Sequence, residues 1–245
     1  NKEKIENLIG EKSKAVIAEA KFWRAVNYFQ LVRMFGGVPL RTTMVKRADD
    51  VHIARSTEED VYNQLIADFE AAEQDLPSTS APATINKWAA TAYLAKVYLT
   101  RKNYTKALEK ATQVVNSSAY ALAQSFSDVF DIASENGSED IFTIQYIHVD
   151  QQGMRLEPLT NAWGLSGLET DLYSKYDPSD TRRNTTFLDG NIASGTRPEK
   201  QGKWLDANSV SADGSANNFI VYRYADLLLI KAEAENEVNG PTQAA

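Results

Sequence analysis

The sequence contains no cysteine, and that absence removes disulfides, thiolate metal sites and cysteine nucleophiles together. Histidine is almost missing as well: His52 and His148 are the only two imidazoles. His52 stands alone in a polar stretch and His148 follows a short apolar run. A metal centre needs several convergent ligands, so no metal is expected. There is no basic excess either. With 26 Lys and Arg against 33 Asp and Glu the net charge is −7, which argues against a nucleic-acid partner. No apolar run approaches the ~18 residues of a membrane span. A nucleophile elbow, an HExxH helix and a phosphate-cradling glycine loop are absent too, and no cofactor is implied. What is present is ordinary for a globular chain: 43% hydrophobic and 24% charged residues. The chain opens on Asn1, without Met or a signal-peptide pattern, and stops at Ala244-Ala245 shortly after a helix and turn. It is therefore expected to be an interior piece of a longer protein with both natural termini missing.

Helical periodicity dominates the first half. Phe22, Ala25, Val26, Phe29 and Val32 fall on one stripe of a 3.6-residue period, and Gly36-Gly37 stops that helix. Residues 41–54 are polar and unpatterned, hence a loop. Ser56-Thr57-Glu58-Glu59 fits a capping box with Ser56 as cap and Glu59 reaching back. Val61, Leu65, Ala72 and Leu76 then repeat at helical spacing until Pro77. Asn86 is the expected cap of a third helix, in which Trp88, Ala92, Ala95 and Leu99 form a core stripe. Arg101-Lys102-Asn103 turns the chain into a fourth helix carrying Ala107, Leu108, Ala111, Val114 and Val115. So short a turn makes the two helices antiparallel neighbours.

After Asn116 the pattern changes. Phe142, Ile144 and Tyr146 alternate with Thr143, Gln145 and Ile147, which predicts a short strand. Residues 148–218 are rich in Gly, Asn, Asp and Ser with weak periodicity. An irregular stretch that long in a compact chain often carries function. Phe219 to Tyr222 is a short apolar run. Tyr224 to Val238 is helical and ends at Asn239-Gly240-Pro241. The face around Leu227, Leu228 and Ile230 is expected to lack cover within this chain.

An internal repeat accompanies these elements. Ala95-x-x-Tyr98 followed by Tyr104-x-x-Ala107 has the small/large spacing of a tetratricopeptide repeat, in which small residues let two helices approach closely. Ala232 and Ala244 share the same interval, although Glu235 and Pro241 occupy the aromatic positions. The helix around Ala25 and Tyr28 has the Ala-x-x-Tyr spacing.

Six segments together resemble the SusD/RagB family of nutrient-binding outer-membrane lipoproteins. They are FWRAVNYFQLVRMFGGVPL (22–40), RSTEEDVYNQLIADFEAAEQDLP (55–77), WAATAYLAKVYLTRKNYTKA (88–107), DIFTIQY (140–146), WGLSGLETDLYSKYDPSDTRR (163–183) and YRYADLLLIKAEAE (222–235), in family order. The resemblance implies a mainly α fold, with tetratricopeptide-like helix pairs packed against a largely irregular second half with a few short strands. On it, residues 1–245 form one SusD-like domain fragment. Within that fragment 1–120 are helical, 121–218 are irregular and ligand-facing, and 219–245 begin a further helix pair. It also implies capture of a glycan or related nutrient at the outer-membrane surface, and delivery to a SusC-like TonB-dependent transporter. Membrane attachment would run only through an N-terminal lipid anchor that this sequence does not contain. Ligand residues vary between family members, so none is carried over.

The site residues come from chemistry instead. Sugar rings present apolar C–H faces that stack on indole, while neighbouring polar groups bond the hydroxyls. Trp163 in Asn161-Ala162-Trp163-Gly164 offers both, and Trp204 lies in the same irregular half. Trp163, Asn161 and Trp204 are thus the candidate ligand-binding residues, with packing as the competing role for both indoles. Asp171, Asp177 and Asp180 raise the question of a glycosidase, which needs two carboxyl groups roughly 5 to 9.5 Å apart. Asp177-Pro178-Ser179-Asp180 reads first as a turn neutralised by Arg182 and Arg183, and Tyr173 and Tyr176 as helix-face residues. No enzyme is expected. The alternative function is a tetratricopeptide adaptor binding a peptide or protein partner in its helical groove.

Overall fold

The five apolar residues of the first stripe are all buried, and α1 runs Ser13–Phe35 around them. Gly36 ends the helix with φ +68°, a left-handed conformation that glycine adopts without strain. Gly37 is required for a different reason: a Cβ there would collide with the carbonyl of Ser56. That contact explains a one-residue correction. Ser56 does not cap α2 (Glu58–Asp75), because its backbone N–H is donated to the Val38 carbonyl at 3.1 Å. Thr57 caps instead, accepting from Asp60 N–H at 3.1 Å, while Asp60 returns the capping-box bond to the Thr57 N–H. Glu59, released from that role, pairs with Arg101.

The computed structural model describes residues 10, 13–79, 84–146, 170–187, 203 and 217–241. Within these, α3 spans Lys87–Thr100, α4 Tyr104–Ser117, β1 Asp140–Ile144, α5 Thr170–Lys175, α6 Arg182–Thr186, β2 Phe219–Arg223 and α7 Tyr224–Asn239. Two compact units result. The helical unit takes residues 1–119 and 226–245, and the strand unit takes 120–225. None of the described helices is long and apolar enough to cross a membrane.

In the helical unit α3 is enclosed. Ala89, Ala90, Thr91, Ala92, Tyr93, Leu94, Ala95, Val97 and Tyr98 are all buried, so nearly every azimuth of the helix meets protein. It packs against α1, α2 and α4. Asn86 caps it as expected, accepting from Ala89 N–H at 3.1 Å. Phe22, Phe69 and Tyr93, one from each of α1, α2 and α3, meet ring to ring. Phe69 and Tyr93 stack at 5.2 Å, and Phe22 stands edge-on to both at 5.6 and 5.4 Å. Ala95 and Ala107 are fully buried on the packed pair α3 and α4. The turn between these helices places Lys102 at φ 57°.

One expectation is overturned and another holds only in part. Trp88 is half-buried rather than in the core, with the Lys87 ammonium 4.6 Å over its ring. Leu99, the last member of that stripe, is half-buried too, so the two ends of the stripe lie at the rim while Ala92 and Ala95 are fully buried. Of the α7 face around Leu227, Leu228 and Ile230, Leu227 and Ile230 are buried and Leu228 half-buried, with Ala234 buried one turn on, so the face is covered in part. The exposed member of that run is Leu229. Lys96 of α3 reaches Asp226 of α7 at 2.6 Å.

A buried carboxylate is held in the helical unit by a half-buried arginine. Asp68, 3% exposed, accepts two bonds from Arg24, from Nε at 2.7 Å and Nη2 at 2.6 Å, and a third from Gln64 at 3.1 Å. The fork geometry joins α1 to α2 and satisfies a carboxylate that burial would otherwise penalise.

Two stability predictions follow from this packing. Ala95→Leu should overpack α3 against α4 and cost about 1–3 kcal/mol in urea unfolding, whereas a cost near zero would show that the helices do not meet there. Arg24→Met should cost more, about 3–5 kcal/mol, because it strands a buried charge. Restoring much of that stability with Asp68→Leu in the same chain is the expected double-mutant result.

Candidate functional site

The strand unit is built on a two-stranded antiparallel ribbon, β1 against β2, with Asp140 opposite Arg223 and Ile144 opposite Phe219. The predicted alternation on β1 does not hold. Ile141 and Phe142 are neighbours and both buried, because the register shifts on either side of Phe142. A bulge of this kind re-aims successive side chains onto one face.

At the open end of the ribbon the chain leaves after Tyr146 and returns at Asn217. The two ends are tied by side-chain amides. Tyr146 N–H donates to Asn218 Oδ1 at 2.9 Å, and Asn218 Nδ2 donates to Gln145 Oε1 at 2.9 Å. Gln145 Nε2 in turn donates to Asn136 Oδ1 at 2.9 Å, and the Asn218 N–H donates to Glu135 at 2.5 Å. Asn217 and Asn218 are themselves buried. Buried amides with satisfied partners fix geometry, so Tyr146 and Asn218, which flank the excursion of residues 147–216 in the sequence, are held together.

Parts of that excursion are described. Tyr173 on α5 and Tyr176 just beyond it both set their rings edge-on to buried Phe187, at 5.2 and 5.6 Å, and the Arg183 guanidinium lies 5.0 Å over Tyr173. The helix-face expectation holds for Tyr173, whereas Tyr176 lies one residue past the end of α5. Lys203 places its ammonium 5.2 and 5.0 Å from the rings of Phe126 and Phe130. Burial, then nearby Arg223, holds Lys203 below the usual lysine pKa. Trp163, Asn161, Trp204 and His148 lie outside the described residues.

The carboxylates have defined roles. Asp177 accepts from the Ser179 N–H at 2.8 Å and hydroxyl at 2.6 Å, and Asp180 forms an ion pair with Arg182 at 2.5 Å. Bonds from Ser179 and from Arg182 respectively push both groups below the ordinary carboxylate pKa. That is the opposite of what a general acid requires. Asp140 was not singled out by pattern and behaves differently: it is pushed up to about 6. Burial is the main cause, reinforced by Glu139 and Glu135, while the Gly137 N–H at 3.1 Å and Arg223 pull the other way. Glu139, also buried, accepts from the Ala123 N–H at 3.1 Å and sits 3.1 Å from Arg223, an ion pair without hydrogen-bond alignment. The cavity beside Asp140 holds only about 10 Å³, room for one water at most and none for a sugar ring. Among the described residues no group of three or more His, Asp or Glu is arranged to hold a metal ion.

Comparison with known proteins places this architecture. A SusD-like profile described as starch-binding and associating with the outer membrane matches residues 2–99, and the SusD family profile matches 193–245. The chain is 32% identical to SusD-like protein P2 of Formosa agariphila over 96% of its own length. The chain belongs to the SusD/RagB family. Among SusD-type folds, a laminarin-binding SusD-like protein superposes with a TM-score of 0.80 at 20% identity, over 95% of this chain and 62% of that one. A structure with xylogluco-oligosaccharide gives 0.76 at 24% identity, over 96% and 56%. This SusD-like chain spans 54% of protein P2, about half the length of the curated relatives it matches.

The Asp140 carboxyl generates a pH prediction. Between the ordinary value of 3.8 and about 6 the folded state holds a proton that the unfolded chain has released, so stability falls as pH rises through that window. Asp140→Asn keeps an acceptor for Gly137 and removes the titration. Thermal midpoints of variant and wild type should coincide near pH 4 and separate in the variant's favour by pH 7. A difference that does not change with pH would contradict the assignment.

Proposed function

We propose that this SusD-like protein captures a glycan at the outer-membrane surface without turning it over, and passes it to a SusC-like TonB-dependent transporter. The observation that carries the reading is family membership together with fold relatives whose ligands are laminarin and a xylogluco-oligosaccharide. The geometry is consistent with it. The residues that flank 147–216 in the sequence, Tyr146 and Asn218, are clamped by side-chain amides, which supports placing the ligand surface in the segment between them. Trp163, with Asn161 beside it, is proposed as the stacking residue of that surface and Trp204 as a second. The reading without turnover is supported by three carboxylates: Asp177 and Asp180 are turn-bound and held below the ordinary carboxylate range, and Asp140 has no cleft beside it. Attachment to the membrane through a lipid and hand-over to the transporter follow from family resemblance.

The test is a glycan array followed by calorimetry on wild type and Trp163→Ala, with product analysis of the incubated glycan. Loss of one stacked indole should weaken binding roughly 5–30-fold, the equivalent of about 1–2 kcal/mol. Unchanged affinity would remove Trp163 from the site, and cleaved product would overturn the non-catalytic reading.

A further inference from the structure

A wide, shallow cleft of about 770 Å³, largely open to solvent, lies on the helical unit between the C-terminal part of α2, the first turn of α3 and the second half of α4. Its size is within the range of small-ligand sites, but its lining is unusual for one. Trp88 is the single apolar residue there; the other walls are polar. A groove that seats an amphipathic peptide helix needs a row of apolar anchors, and this one has none beyond the indole.

The charges in the cleft cancel. Glu73 is bound by Lys110 at 2.6 Å and by the buried Thr91 hydroxyl at 2.8 Å. Glu70 accepts from the Tyr98 hydroxyl at 3.2 Å, and Lys87 lies over the Trp88 ring. Two carboxylates and two ammoniums leave no net field to select an ion. What remains at the rim are exposed planar amides, Gln74, Gln113 and Asn116, with Ser117. Gln113 has already donated Nε2 to Glu109 at 3.1 Å, which leaves its carbonyl to accept. An indole beside amide donors and acceptors, in a charge-balanced cleft, matches a neutral polyhydroxylated ligand whose C–H face takes the place of the Lys87 ammonium on the ring while its hydroxyls bond.

We propose that this cleft is a second saccharide-binding site, centred on Trp88 and independent of the site proposed around Trp163. The proposal rests on the glycan-capture reading only for the choice of probes. The Lys110 salt bridge and the Thr91 hydrogen bond on Glu73 preorganise the floor, so binding requires only that Lys87 leave the ring and the rim amides order.

The experiment follows the four tryptophan indole N–H resonances by NMR, with the Trp88 signal assigned through Trp88→Phe, while maltotriose or laminaritriose is titrated in. The expected result is a saturable shift of the Trp88 signal at millimolar sugar, retained in a Trp163→Ala/Trp204→Ala variant. Gln74→Leu/Gln113→Leu should weaken that shift about fivefold without lowering the melting temperature. No saturable Trp88 shift with either sugar would overturn the proposal. So would a shift that disappears in the Trp163/Trp204 variant, since it would then report the loop surface. If the Trp163 and Trp204 signals stay still while Trp88 moves, the loop assignment fails and the cleft stands.

Discussion

Phe22, Phe69 and Tyr93 meet at the centre of the helical unit, and the arrangement of α1, α2 and α3 depends on that meeting. Three aromatic rings on three helices can pack this closely only if the rest of α3 is thin. Its alanines at 89, 90, 92 and 95 provide that, so neighbouring helices close around α3 instead of against one side of it. Once α3 is enclosed, Ala107 brings α4 in from the other direction. The Arg24–Asp68 fork then fixes α1 to α2 in one register, because any slip would leave a buried carboxylate unpaired.

The strand unit solves a different problem. A two-stranded ribbon has little core of its own, and it has to hold the ends of a long excursion. It does so with polar contacts: Asn136, Gln145, Asn218 and Glu135 satisfy one another and the backbone at the point of departure. Aromatic contacts supply the remaining order. Tyr173 and Tyr176 close on Phe187, and Lys203 rests on Phe126 and Phe130.

Local signals were readable in the chain and distant ones were not. The α1 stripe, the Asn86 cap, the α3–α4 turn and the turn at Asp177 follow from spacing within a few residues, and each appears as expected. The capping box moved by one residue because Ser56 is engaged by Val38, across a gap that no local pattern reveals. Trp88 was misplaced because its stripe runs out to the rim at both ends of α3, which spacing does not reveal. Asp68, Asp226 and Asn218 find their partners 44, 130 and 72 residues away, and nothing in their immediate sequence announces it. Of the proposed ligand surface, composition marked the segment and resemblance marked its use. Trp163, Asn161 and Trp204 rest on side-chain chemistry, since stacking residues carry no periodicity.

The central claim is that an oligosaccharide is bound, uncleaved, by the side chains of residues 147–216. A crystal structure of the protein soaked with a laminarin- or xyloglucan-derived oligosaccharide tests it most directly. The account predicts an intact sugar with a ring face against the Trp163 indole and a hydroxyl within hydrogen-bond distance of Asn161. A sugar bound only elsewhere on the chain, with residues 147–216 making no contact to it, would contradict the account.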